Sequence, residues 1–201
     1  MKPVYHLFWE LLPLTDIFLS ITPDILHQML QGMVKHLVMW LVGIFGVAVI
    51  DAQCQMIPSN HGIMLFTRGI TSLFHVSGHK HKKMCSILLG LVVDLPVPGG
   101  FDSTCIIRAV RALMDFLYLA QFKSHTSNTL SWLEECLAGF HKNKQVFIDL
   151  KAWENFNLPK LHSLTHYASS IRLFGSMDNY NTEQLEHLHI NLTKDTYHAT
   201  N

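Results

Sequence analysis

The chain has 201 residues, 49% of them hydrophobic and only 15% charged, which excludes intrinsic disorder and points to one domain with a substantial core. Fifteen Lys and Arg balance fifteen Asp and Glu, so no bulk positive field exists to hold a nucleic acid, and any such contact must be local. Fourteen histidines nearly equal the Lys and Arg together, which makes net charge sensitive to pH between about 5 and 7. Cys54, Cys85, Cys105 and Cys136 form no CxxC or CxC pair, so reduced thiols are expected rather than a zinc ribbon or a dense disulfide framework. The N-terminus lacks a basic region followed by an apolar stretch and a small-residue cleavage site, and the expected compartment is nuclear or cytoplasmic.

In chain order, Ile17, Phe18, Leu19, Ser20 and Ile21 read as a short strand of branched and aromatic residues. Thr22-Pro23-Asp24 then opens a helix, with Thr22 as the N-cap, Pro23 at the first helical position and Asp24 facing the positive end of the dipole. Ile25, Met29, Met33, Leu37 and Leu41 recur every four residues and predict a core-facing stripe. Gly43 and Gly46 weaken or end this helix. Leu37 to Ile50 carries no charge, but its fourteen residues fall short of the roughly 18 to 20 that a membrane span needs, so a buried core helix is expected.

Pro58-Ser59-Asn60-His61-Gly62 is a turn, and helices are expected over 69–75 and 82–91. Asp94 to Gly100 is a loop. Asp102 or Ser103 caps a helix with a stripe of Ile106, Val110, Leu113, Leu117 and Ala120. Thr129 caps another through Phe140, a third runs from Lys160 to Phe174 and is closed by Gly175, and Asn181 or Thr182 caps the last. One strand cannot make a sheet, so either the chain is all α or its sheet lies outside this sequence.

Four constellations carry possible chemistry. Asp24 and His27 share a face at a helix start, which suits a carboxylate holding a divalent cation beside a ligand or proton shuttle; a dipole-complementing acid and an ordinary polar histidine explain the same spacing. Glu183 and Glu186 share a face of the last helix, with the same two readings. His162 and His166 have the i, i+4 spacing of a helical metal pair, although no third ligand is implied. His75, Lys80, Lys82 and Lys83 with His79 and His81 form a basic cluster suited to phosphate or simply to solvent. No Walker A, GxGxxG, GxSxG or kinase signature occurs.

Several strings resemble the Plavaka-type transposases of fungal genomes, a group related to the CACTA-like and KDZ-type transposases. They are Phe8-Trp9-Glu10-Leu11-Leu12-Pro13 with Asp16-Ile17-Phe18, and Thr22-Pro23-Asp24-Ile25-Leu26-His27. Arg111 to Gln121, Pro159-Lys160-Leu161-His162-Ser163-Leu164 and Asp178-Asn179-Tyr180-Asn181-Thr182-Glu183 follow in the same order. The resemblance implies a ribonuclease H-like core whose carboxylates hold two Mg²⁺ or Mn²⁺ ions and cut and rejoin DNA at transposon ends. Under it Asp24 is the second metal-binding aspartate, His27 its partner, and Glu183 the third acidic residue with Glu186 as nearby substitute. A first aspartate is expected upstream, so the chain reads as the C-terminal part of a longer transposase, inactive alone, whose catalytic and DNA-binding regions lie before it.

The implied organisation is 1–27 as a remnant of the ribonuclease H-like core, 28–175 as a helical insertion and 176–201 as a C-terminal core helix. The fold class is thus mainly α with at most one or a few short strands. Against the family pattern, Trp153, His187 and His198 stand for arginine, Lys80 for glutamate and Asn191 for aspartate, all reachable by C-to-T transitions. A non-enzymatic helical interaction or scaffold domain derived from a transposon is the alternative, and membrane association is not expected.

Overall fold

The computed structural model describes residues 6–14, 16–73, 76–189 and 192–193. Among them every regular element is helical and no strand occurs. A 3₁₀ turn at Phe8–Leu11 precedes α1 (Ile17–Ser20) and α2 (Ile25–Phe45), whose first half, Ile25–Val34, is wound as a wide π helix before tightening over Lys35–Phe45. There follow α3 (Val47–Met56), α4 (Gly78–Val92), α5 (Thr104–Ala120), α6 (Ser127–Asn143) and α7 (Val146–Asp149). Then come α8 (Pro159–Ser163), a 3₁₀ turn at Leu164–His166, α9 (Tyr167–Phe174) and α10 (Thr182–His189).

The stripe Ile25, Met29, Met33, Leu37 and Leu41 is buried along the whole of α2, and the α5 stripe from Ile106 to Ala120 is fully buried as well. Each such side chain contributes on the order of 1.5–3 kcal/mol by leaving water. The α2 helix packs against α4 and α8, while α5 and α6 lie along one another as the most extensive helix pair. Trp40 is the largest fully buried side chain, ringed by Phe147 at 4.9 Å, Phe156 at 5.6 Å and Trp153 at 6.0 Å between centroids.

Within the apolar run from Leu37 to Ile50, Leu37, Trp40, Leu41, Ile44, Phe45 and Ile50 are buried, while Met39, Val47 and Val49 stay exposed. The run is broken at Gly46, where φ is +85° and the chain turns by 108° between α2 and α3. No single helix among the described residues is long and apolar enough to cross a membrane.

Four local expectations are corrected. Residues 17–21 are not a strand: the Asp16 carboxylate accepts hydrogen bonds from the backbone N–H of Phe18 (2.9 Å) and Leu19 (3.2 Å), and Ile17–Ser20 closes into a helical turn. A capping carboxylate supplies local partners where no neighbouring strand offers a ladder. The cap of α2 is Asp24 rather than Thr22, which lies two residues outside. Residues 69–73 are a turn gripped by Asp51, whose carboxylate accepts from the N–H of Ile70 (2.9 Å) and Thr71 (3.1 Å) and from the Thr71 hydroxyl. His75 lies outside the described residues. Finally, α6 begins at Ser127, with Thr126 as its cap and Thr129 returning the bond three residues on as a capping box.

Candidate functional site at Asp24 and the last helix

Asp24 sits where α2 begins, and its position is fixed from three directions. Its N–H donates to Gln28 Oε1 (3.2 Å), and its C=O accepts from Gln28 N–H (3.1 Å) and from the Tyr167 hydroxyl on α9 (3.0 Å). Tyr167 is fully buried, edge-on to Phe116 at 5.3 Å. That burial, and then the nearby Asp24 charge, push its phenol far above the ordinary value, so it remains a donor.

The carboxylate makes contacts of its own. Oδ2 accepts from His27 N–H at 2.8 Å and lies 2.7 Å from His27 Nδ1. Oδ1 accepts from Thr182 N–H at 3.1 Å, across 158 positions of sequence. The first backbone donor of α10 thus points at Asp24, and Glu183 follows directly, half-buried, its own N–H bonded to Asn181 Oδ1 at 3.2 Å. The Thr182 hydroxyl lies 3.3 Å from His27 Nδ1, which closes a small ring of Asp24, His27 and Thr182.

Burial raises the Asp24 pKa, but the bonds from His27 and Thr182 overcome it and hold the carboxyl below its usual value of 3.8. An ionised carboxylate only accepts, so the close His27 Nδ1 carries a proton toward it.

Two of the expected site residues, Asp24 and His27, are in direct contact, and Glu183 adjoins the residue that binds Asp24. The Glu186 side chain lies outside the described residues, as do those of His187, Asn191 and His198. His162 and His166 meet elsewhere, on the turn between α8 and α9. Gln28 and Tyr167 were not singled out by sequence, and Thr182 only as a possible cap of the last helix; an Asp at a helix start with Gln four residues on could have pointed to Gln28, while nothing local pointed to Tyr167.

For a hard divalent cation the donor chemistry fits in kind: an ionised, immobilised carboxylate oxygen beside a second acidic residue. It does not fit in number, because three of the roughly four lone-pair positions on Asp24 already face N–H donors. Among the described residues no group of three or more His, Cys, Asp or Glu is gathered to hold an ion.

A family model described as Plavaka transposase matches residues 1–41, a span that includes Asp24, His27 and most of α2. This match relates the N-terminal segment to a transposase-related family. No curated protein and no solved structure matches the chain.

Proposed function

We propose that this chain is a helical part of a DNA transposase, or descends from one, and that the Asp24 corner is its acidic catalytic element. The observation that carries the reading is the Thr182 N–H to Asp24 hydrogen bond. It joins the segment matched by the transposase model to the Asp178–Glu183 string that resembles the same family, so two motifs far apart in sequence converge on one carboxylate.

In this reading Asp24 and Glu183, with Glu186 on the same helix, would help hold Mg²⁺ or Mn²⁺ once Asp24 gave up part of its present hydrogen bonding, and a further carboxylate from outside this chain would complete a ribonuclease H-like site. When bound, such ions polarise the scissile phosphate and lower the pKa of an attacking water or hydroxyl. His27 Nδ1 lies against Asp24, which orients the ring beside the carboxylate. Residues 1–27 then belong to the catalytic core, 28–175 to an inserted helical domain and 176–201 to the core again.

DNA is the implied partner, and the charge distribution supports it. Helices α2 and α4 and the segment 159–174 carry Lys35, Lys80, Lys82, Lys83, Lys160 and Arg172 without a single Asp or Glu, although the whole chain is neutral. Arg172 is paired with Glu134 on α6, which leaves five lysines on mutually packed elements for phosphate contact.

A second reading, a non-enzymatic helical scaffold, is favoured by the way Asp24 spends its lone pairs on capping and tethering. Titration of Mn²⁺ into the chain, followed by the loss of free-ion electron paramagnetic resonance signal, separates the two. The catalytic reading expects binding that weakens by about tenfold or more in Asp24→Asn and in Glu183→Gln. Equal binding in all three proteins, with only the stability of Asp24→Asn changed, overturns it in favour of the scaffold.

A further inference from the structure

Away from the Asp24 corner, His162 at the end of α8 and His166 in the following 3₁₀ turn face one another. Their rings lie at 85° with centroids 5.1 Å apart, and the two Nε2 atoms are 3.4 Å from each other. We propose that this pair is a coordination site for a borderline d-block cation, with Zn²⁺ as the probe of choice, independent of the hard-cation site considered above.

The argument is geometric first. A tetrahedral Zn²⁺ with Zn–N bonds of about 2.0–2.1 Å places neighbouring nitrogens about 3.3–3.4 Å apart. The observed Nε2 separation, bridged by an N–H···N hydrogen bond when no ion is bound, matches that edge. Two Nε2 atoms at this distance cannot both present lone pairs to one another at no cost; either one proton or one cation must lie between them. The backbone enforces the approach, because both histidines sit on one face of a continuous helical segment and Thr165 Oγ1 and Ser169 Oγ donate back to the C=O of His162 and His166 at 2.7 and 2.9 Å.

The chemistry selects the ion. His162 also lines a hollow of about 390 Å³ shared with His141, Lys144, Asn157 and Thr165. No carboxylate borders that hollow, and Lys144 does, so a cation held mainly by charge, such as Mg²⁺ or Ca²⁺, gains nothing there. Imidazole nitrogen binds through its lone pair and favours Zn²⁺ or Cu²⁺ instead. Both rings are exposed, which leaves the remaining coordination positions to water or to an added ligand. Among the described residues no third His, Cys, Asp or Glu joins them, so the site is two-coordinate from the protein and its affinity is modest.

The test titrates Zn²⁺ against a colorimetric zinc indicator with the intact chain, His162→Gln, His166→Gln and the double variant. Loss of a supporting residue already weakens metal sites by about 10–100-fold, so each single variant is expected to lose at least that much at one site, and the double variant to bind one equivalent fewer. One equivalent of Cu²⁺ gives an independent readout, in which coupling to two imidazole nitrogens is expected in the intact chain and is lost in the double variant. Because both residues are exposed, the variants keep the thermal midpoint of the parent. Unchanged stoichiometry and affinity in the double variant, or a Cu²⁺ spectrum that the substitutions do not alter, overturns the proposal. Mn²⁺ binding in these variants stays at the parent value, so failure here is distinguishable from failure of the Asp24 reading.

Discussion

At the scale of single residues, Asp24 does three things with one carboxylate: it caps α2, orients His27 and receives the start of α10. Losing an N-cap acceptor costs about 0.5–2 kcal/mol, and leaving a part-buried N–H such as that of Thr182 unpaired costs about 1–3 kcal/mol more. Asp24→Ala is therefore expected to lower stability by about 2–3 kcal/mol, read as a shifted urea midpoint at pH 7. The sign of the pH dependence follows from the lowered pKa. The unfolded chain takes up a proton near 3.8 while the folded one resists, so the contribution of Asp24 is fully present above 3.8 and is lost as pH falls through the lower folded value. His36, His81, His125 and His141 act in a higher window. Burial depresses each below 6.5, so the folded form is favoured above that value and loses ground as pH falls beneath it. Comparing Asp24→Asn with the parent isolates the carboxylate, since the difference between them must shrink as pH falls below 3.8.

At the scale of elements, two glycines set the path from α2 to α4 by different means. Gly46 has φ +85° with nothing within 4 Å of where a Cβ would stand, so Gly46→Ala meets only backbone strain of about 1–2 kcal/mol. Gly69 has φ +79° and an added Cβ would fall 2.0 Å from Asp51 Cγ, the residue that holds the 69–71 turn. Gly69→Ala is thus expected to lose more than Gly46→Ala in parallel urea titrations, because it adds the loss of three hydrogen bonds to the same strain. Equal losses show that Asp51 can move aside at little cost. These glycines also mark what the sequence made legible. Apolar periodicity located α2 and α5, since burial of one face writes itself as a repeat, while capping and closing residues pointed to α6 and the 160–174 segment. It did not locate the turn at 69–73, where the determining partner, Asp51, is 19 positions away. It misread 17–21 because branched residues favour a strand only where another strand is present, and here Asp16 offered a nearer set of partners. The site was legible in part for the same reason: Asp24 and His27 are local, three residues apart, whereas the Thr182 and Tyr167 bonds to Asp24 span 158 and 143 positions.

At the scale of the whole molecule, burial is unevenly shared. From Ile25 onward the apolar side chains of α2, α4, α5 and α6 close into one core, yet the stretch just before it stands outside. Leu11 is 87% exposed, Leu14 98% and Phe18 86%, with Leu19 and Ile21 also open to water. A folded chain seldom leaves a run of large apolar groups uncovered within a dozen residues, and each removed from water is worth on the order of 1.5–3 kcal/mol. These groups therefore add to surface stickiness and nothing to the core. Replacing Leu14 and Phe18 together by Asp is expected to leave the unfolding free energy within about 0.5 kcal/mol of the parent, as for surface changes elsewhere. The same variant should bind less of a hydrophobic dye such as anilinonaphthalene sulfonate and sediment with less self-association at equal concentration. A loss of about 2 kcal/mol or more would place these side chains in the folded core instead and would require α1 to pack against α2 in solution.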